Sequence, residues 1–180
     1  MSSLNRLKKF APMRLVGAAK RRAKQALEDA RARVKAALGW TGEVIFTSGA
    51  TEALNLALRG ALPALAPRSG VVTLATEHAA VRDTCLWLEG KGHRLDLLPV
   101  GTDGLADPEI ARAAIGSDTA LVAAMLVNNE IGVIQPAEQL AAMAQDAGAL
   151  FLCDAVQGFG RLPLPQAADM IAITAHKIHG

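Results

Sequence analysis

Apolar and polar positions along the chain keep two rhythms, a helical one and a strand-like one, that take turns. Ala23, Leu27, Ala30, Val34 and Leu38 recur at three- and four-residue spacing, which predicts a helix with Gly39 as its stop. Val44-Ile45-Phe46-Thr47 reads as a strand running into a Ser48-Gly49 turn, and a second helix is expected from Ala50 to Leu58, closed by Gly60. Val71-Val72-Thr73-Leu74 is the next strand, followed by a helix from Ala79 to Leu88 that Gly90 and Gly92 end. Arg94 to Leu98 is strand-like. Asp107-Pro108-Glu109 opens a helix: an acceptor at the cap, proline where no N–H is needed, and an acid near the positive helix end. Thr119 to Val127 is an almost unbroken apolar run, as in a strand buried on both faces. A helix from Pro136 to Ala147, capped by Gly148, and short strands at Ala149 to Cys153 and Met170 to Thr174 complete the series. Strands alternating with helices predict an α/β fold, a mostly parallel sheet with helices on both faces. No internal repeat interrupts the order, and Gly60–Gly70, with Pro63 and Pro67, reads as a loop.

Composition narrows the field. The 180 residues are 51% hydrophobic, enough for one domain with a real core. Four Phe, two Trp and no Tyr leave the packing to Ala, Leu and Val, and argue against nucleic-acid binding by base stacking. The net charge of +2 hides an asymmetry: residues 1–35 carry +9 and the remainder −7. Such a basic arm could touch nucleic acid, an anionic membrane or an acidic partner, but a solvated helix face is the simpler reading. The basic, acid-poor start faintly resembles a mitochondrial transit peptide, yet it has few Ser and merges into a helical pattern, so no targeting role is expected. Cys85 and Cys153 show no metal-ligand spacing and sit in apolar surroundings. Buried free thiols in a reducing, cytoplasmic setting are expected, with no metal site. No apolar run reaches about 18 residues, so no membrane span is expected.

The informative polar residues fall where strands end. In a parallel sheet, ligands bind beyond the carboxyl ends of the strands. Thr47-Ser48-Gly49-Ala50-Thr51-Glu52 joins a strand, a small-residue turn and a helix start, where free N–H groups and the helix dipole suit a phosphate. Alone, it is an ordinary helix cap. Thr76-Glu77-His78 and Asn128-Asn129-Glu130 follow two more strands, and each alone is an ordinary turn. Asp154 directly follows Phe151-Leu152-Cys153 and would be costly to bury unpaired. Thr174-Ala175-His176-Lys177 ends the last strand. Together these place a phosphate cradle, an acid, a lysine and two histidines on one rim. A lysine able to form a Schiff base, with an acid for a ring nitrogen, is the constellation of pyridoxal-phosphate (PLP) chemistry.

Five linked stretches then carry a resemblance: Thr47 to Glu52, Thr76 to His78, Val127-Asn128-Asn129-Glu130-Ile131-Gly132, Asp154-Ala155-Val156-Gln157 and Ala175-His176-Lys177. Over residues from about 20 to 180 the sequence resembles the cysteine desulfurases, of the class V aminotransferase family on the type I PLP fold. The resemblance implies that Lys177 holds PLP and moves the substrate's α-proton, Asp154 pairs with the pyridine nitrogen, and His78 stacks on the ring. It implies that Gln157 bonds the phenolic oxygen with Asn129 beside it, and that Ala50, Thr51, Thr174 and His176 hold the phosphate. The implied reaction converts L-cysteine to alanine and an enzyme-bound persulfide, a source of sulfur for iron–sulfur clusters.

Residues 1–20 match that pattern poorly, with Asn5 where a histidine is expected, and they are set apart as a basic N-terminal segment. Residues 21–180 read as an incomplete PLP-binding large domain, because Gly180 lies three residues past Lys177 while the family continues to a catalytic cysteine and a substrate-binding arginine. Cys85, inside a helix, and Cys153, inside a strand, are not expected to replace that cysteine. The expectation is a chain inactive alone, prone to self-association, and completed by a second copy or a complementary chain. The alternatives are a non-catalytic remnant or a partner-binding fragment of such an enzyme, or another class V lyase or aminotransferase.

Overall fold

The structure is a computed structural model that describes residues 3–178, with side chains from residue 17 onward. It divides into two units, Met1–Phe46 and Thr47–Gly180.

The first unit is dominated by one helix, α1 (Ser3–Leu38), which starts well before the expected Ala23. Gly39 ends it as expected: a left-handed φ of 61° lets the Trp40 amide reach back to Lys35 O at 2.9 Å. The apolar stripe is not sunk into a core, for Ala23 and Leu27 are exposed and Ala30, Val34 and Leu38 half-buried. Lys20, Arg21, Arg22, Lys24 and Arg33 are exposed, as on a solvated face. The strand expected at Val44 to Thr47 does not form. Its residues pair with no strand, and Ile45 and Phe46 are 65% and 44% exposed. Strand propensity expresses packing against a neighbour, and here the segment is held instead by Arg31, which donates to Val44 O and stacks 5.4 Å from the Phe46 ring centre.

The second unit follows the predicted alternation: α2 (Ala50–Ala61), β1 (Gly70–Leu74), α3 (Ala79–Glu89), β2 (Leu95–Leu98), α4 (Pro108–Ala114), β3 (Thr119–Met125), α5 (Ala137–Asp146), β4 (Leu150–Asp154) and β5 (Met170–Ala172). All pairings are parallel, in the order β2-β1-β3-β4-β5. Helix α2 runs through Gly60, and a 3-10 turn, Leu62–Leu65, occupies part of the expected loop. Strand β3 stops two residues short of Val127 because Leu126 and Val127 turn into a return segment, where Gln135 N bonds Leu126 O at 3.0 Å.

Side chains of one strand alternate between faces, and the core splits accordingly. Val71, Leu121, Ala123 and Leu152 pack with Leu54 and Leu58 of α2 and Val81, Cys85 and Leu88 of α3. Val72, Val122, Ala124, Phe151 and Cys153 pack with Ala111 of α4 and Leu140, Ala141 and Ala144 of α5. Helices thus cover both faces of the sheet. Asp107 caps α4 by accepting from Glu109 N at 2.8 Å, and Gly148, at φ 67°, turns the chain from α5 into β4.

Candidate active site

From β1 the chain goes out to β2 and comes back to β3 on the other side of β1. Connections therefore leave in opposite directions between β1 and β3, which opens a crevice at the carboxyl ends of the strands. A cavity of about 500 Å3 lies there. It is lined by Ala50, Thr51, His78, Asn129, Asp154, Gln157, His176 and Lys177, eight of the nine residues singled out from the sequence. The ninth, Thr174, stands one step back, its Oγ1 meeting His176 Nδ1 at 2.8 Å.

Each of these residues is delivered by local structure. Gly49 gives α2 no side-chain cap, so the first amides of the helix lack the acceptor that a Ser or Asp would supply. Ser48 bonds hold the Glu52 carboxyl below its ordinary range, and the Ser48 amide donates to Glu52 Oε2 at 2.6 Å. After β1, the His78 side chain caps α3, with Nδ1 accepting from Ala80 N at 3.0 Å. That bond fixes the ring's orientation.

Beyond β3, Asn128 organises the loop. Its Oδ1 accepts from Glu130 N at 2.9 Å and Ile131 N at 3.0 Å, while its Nδ2 donates to Thr76 O at 2.9 Å. The asparagine pair is thus a turn, and also a bridge to the His78 segment that leaves Asn129 on the rim. Asp154 ends β4 and is 7% exposed. Burial raises its pKa, and the Val156 N–H bond (3.0 Å) and the nearby His78 oppose that rise. A carboxyl in this position gains from a cationic partner in the cavity. Beyond β5, a short 3-10 turn, Ala175–Lys177, carries Lys177 to the rim.

Two contributors were not singled out from the sequence. Arg161 donates to Gln157 O at 3.1 Å and to Lys177 O at 3.3 Å, so it ties together the two loops that carry those residues. Only contact across the turn marks it out. Glu77, the neighbour of His78, is 4% exposed, and its Oε1 accepts from Met125 N at 2.6 Å. An acid three residues beyond the buried strand β1 is the available signal. Both cysteines are fully buried as expected, and neither lines the cavity. Burial pushes the Cys85 thiol up to about 12, and the Cys153 thiol is also pushed up by burial.

The donor set fits PLP. It holds an open helix N-terminus for a phosphate, a buried carboxyl for a ring nitrogen, an exposed imidazole for a ring face and a primary amine for an aldehyde. A family model described as aminotransferase class-V matches residues 5–180. The chain belongs to this family. That match reaches further toward the N-terminus than the five motifs do. Class-V aminotransferases of the cysteine desulfurase group depend on PLP. The cysteine desulfurase IscS of Rickettsia rickettsii (strain Iowa) is 40% identical over 163 residues, which cover 88% of this chain and 40% of that protein. Among solved structures, DndA from Streptomyces lividans has a TM-score of 0.83 at 38% identity, covering 90% of this chain and 47% of that one. SspA in complex with cysteine has a TM-score of 0.83 at 32% identity, covering 89% and 48%. This class-V chain therefore spans less than half the length of these relatives. Among the described residues no helix is long and apolar enough to cross a membrane.

Proposed function

We propose that this class-V chain builds the cofactor-binding rim of a PLP-dependent cysteine desulfurase, which takes L-cysteine to alanine and an enzyme-bound persulfide. The observation that carries the reading is the gathering of Lys177, Asp154, His78 and the N-terminus of α2 around one cavity. The likeness to SspA, whose structure holds cysteine, supports the substrate.

In this reading residues 21–180 are part of a PLP-binding large domain. Ala50 and Thr51, with Thr174 and His176, bind the phosphate. Asp154 takes the ring nitrogen, and its depth in the sheet end keeps water from that contact. His78, its ring fixed by the Ala80 bond, covers one ring face. Gln157 bonds the phenolic oxygen, with Asn129 beside it. PLP, when bound, supplies an electrophilic carbonyl and an electron-withdrawing ring that acidifies the substrate's α-carbon. The Lys177 amine anchors the cofactor and then carries the α-proton. A second copy, or a chain carrying the rest of the enzyme, is the partner, and the reducing cytoplasm, where buried free thiols persist, is the compartment.

On adding PLP, the chain is expected to gain an absorbance band near the visible edge that Lys177→Ala lacks. A variant spectrum identical to wild type removes Lys177 from this role. A second reading, a PLP-binding chain with no sulfur transfer of its own, is favoured by the burial of both thiols. It predicts that these 180 residues alone release no alanine from cysteine, measured with an alanine dehydrogenase assay. Steady release would overturn it, and would equally overturn the need for a completing chain in the first reading.

A further inference from the structure

Glu77 is a buried acid for which the roles above have no use. It sits where β1 leaves the sheet. Thr73 and Ala123 form the last rung between β1 and β3, and the first amide beyond β1, Ala75 N, bonds Leu98 O on the β2 side. The end of β3 thus loses its neighbour, and the Glu77 side chain takes the vacant place by accepting from Met125 N. Met125 in turn pairs with Asp154 across β3 and β4. A second bond, Asn128 Nδ2 to Thr76 O, fastens the same turn. His78 is the next residue along.

The other oxygen, Oε2, is buried without a hydrogen-bond partner, and among the described residues no ion pair involves Glu77. An ionised carboxylate in that state is far costlier than the neutral acid. The titratable groups near it are Asp154 on β4, Cys153 on β4 and Cys85 on α3. Burial first, and the Asp154 charge in addition, raise Glu77 well above the ordinary carboxylate range.

We propose that Glu77 is a positioning residue for the ring end of the cavity: as a neutral acid it clamps the His78 turn to the end of β3, and it leaves Asp154 as the one carboxylate there that can hold a cationic ring nitrogen. This rests on the PLP reading of the cavity. Gln can replace a neutral acid here, because its carbonyl accepts from Met125 N and it carries no charge. Leu cannot accept.

The test compares the 180-residue wild-type chain, Glu77→Gln and Glu77→Leu. Infrared difference spectra at neutral pH, without PLP, should show one protonated carboxyl in wild type that Glu77→Gln lacks. The Met125 amide should stay protected from exchange in Glu77→Gln and lose protection in Glu77→Leu. PLP titration should give Glu77→Gln an affinity close to wild type. Glu77→Leu, shown to be folded by its melting curve, should bind about tenfold more weakly, as expected for a lost buried hydrogen bond. Glu77→Asp, one methylene short of Met125, replaces the Leu variant if that one does not fold, and it too should weaken binding. Absence of the protonated carboxyl, loss of PLP in Glu77→Gln as large as in Glu77→Leu, or undiminished binding in the folded Leu or Asp variant each overturns the proposal. A wild type that takes up no PLP overturns the cofactor reading instead. The infrared band and the Met125 amide then decide by themselves whether Glu77 is a neutral clamp.

Discussion

Two carboxyls are buried at the same end of the sheet, and their surroundings set them apart. Asp154 lines the cavity, with His78 near enough to oppose the effect of its burial. Glu77 meets no cation among the described residues and stays shut in. Its folded pKa is raised, so the fold favours the protonated form. The stability this contributes is complete below the unfolded value, about 4.3, and drains away as pH rises toward the raised folded value. Glu77→Gln cannot ionise and escapes that loss, while Asp154, Cys85 and Cys153 are common to both proteins and largely cancel. The melting temperature of wild type, relative to Glu77→Gln, should therefore hold level below about pH 4.3, fall as pH rises above it, and level off again beyond the raised folded value. Parallel curves in paired thermal melts across that range would rule out a raised Glu77.

At the scale of elements, the chain was most legible where local chemistry and burial agree. The run from Thr119 to Val127 announced a strand covered on both faces, and β3 is buried at all seven of its positions. Asp107-Pro108-Glu109 announced the start of α4, and Asp107 caps it. The strand ends named the cavity because a parallel sheet brings all its carboxyl ends to one side, so that motifs nearly 130 residues apart in sequence, from Ala50 to Lys177, share one rim. Legibility failed where a partner decides the outcome. Val44-Ile45-Phe46 has the composition of a strand but no ladder, and Arg31 claims it instead. Arg161 leaves no mark in the sequence because its bonds to Gln157 O and Lys177 O depend on how two loops meet, which no spacing encodes. The stripe of α1 has helical periodicity, but periodicity shows only that a helix can present an apolar face, not that anything covers it.

For the molecule as a whole, the Thr47–Gly180 unit has two edges, β2 and β5, each paired on one side only. Both are short, four and three residues, and Arg94 and Asp96 place an ion pair on β2, so edge-to-edge pairing is discouraged. Apolar surface is the stronger drive to associate. Ile131 and Ile134 are 60% and 54% exposed, and Ile131 and Val133 lie against Gly104 beside exposed Leu105. A cluster of this kind on an otherwise polar loop favours contact with another surface. The chain is accordingly expected to sediment faster as its concentration rises. Changing Ile131→Lys and Ile134→Lys together should shift it toward the monomer, while stability moves by no more than about 0.5 kcal/mol for each surface change. Sedimentation velocity over a concentration series, with thermal melts of both proteins, measures the two quantities. A concentration-independent wild-type monomer, or a variant that associates as strongly as wild type, would mean that this patch drives no association.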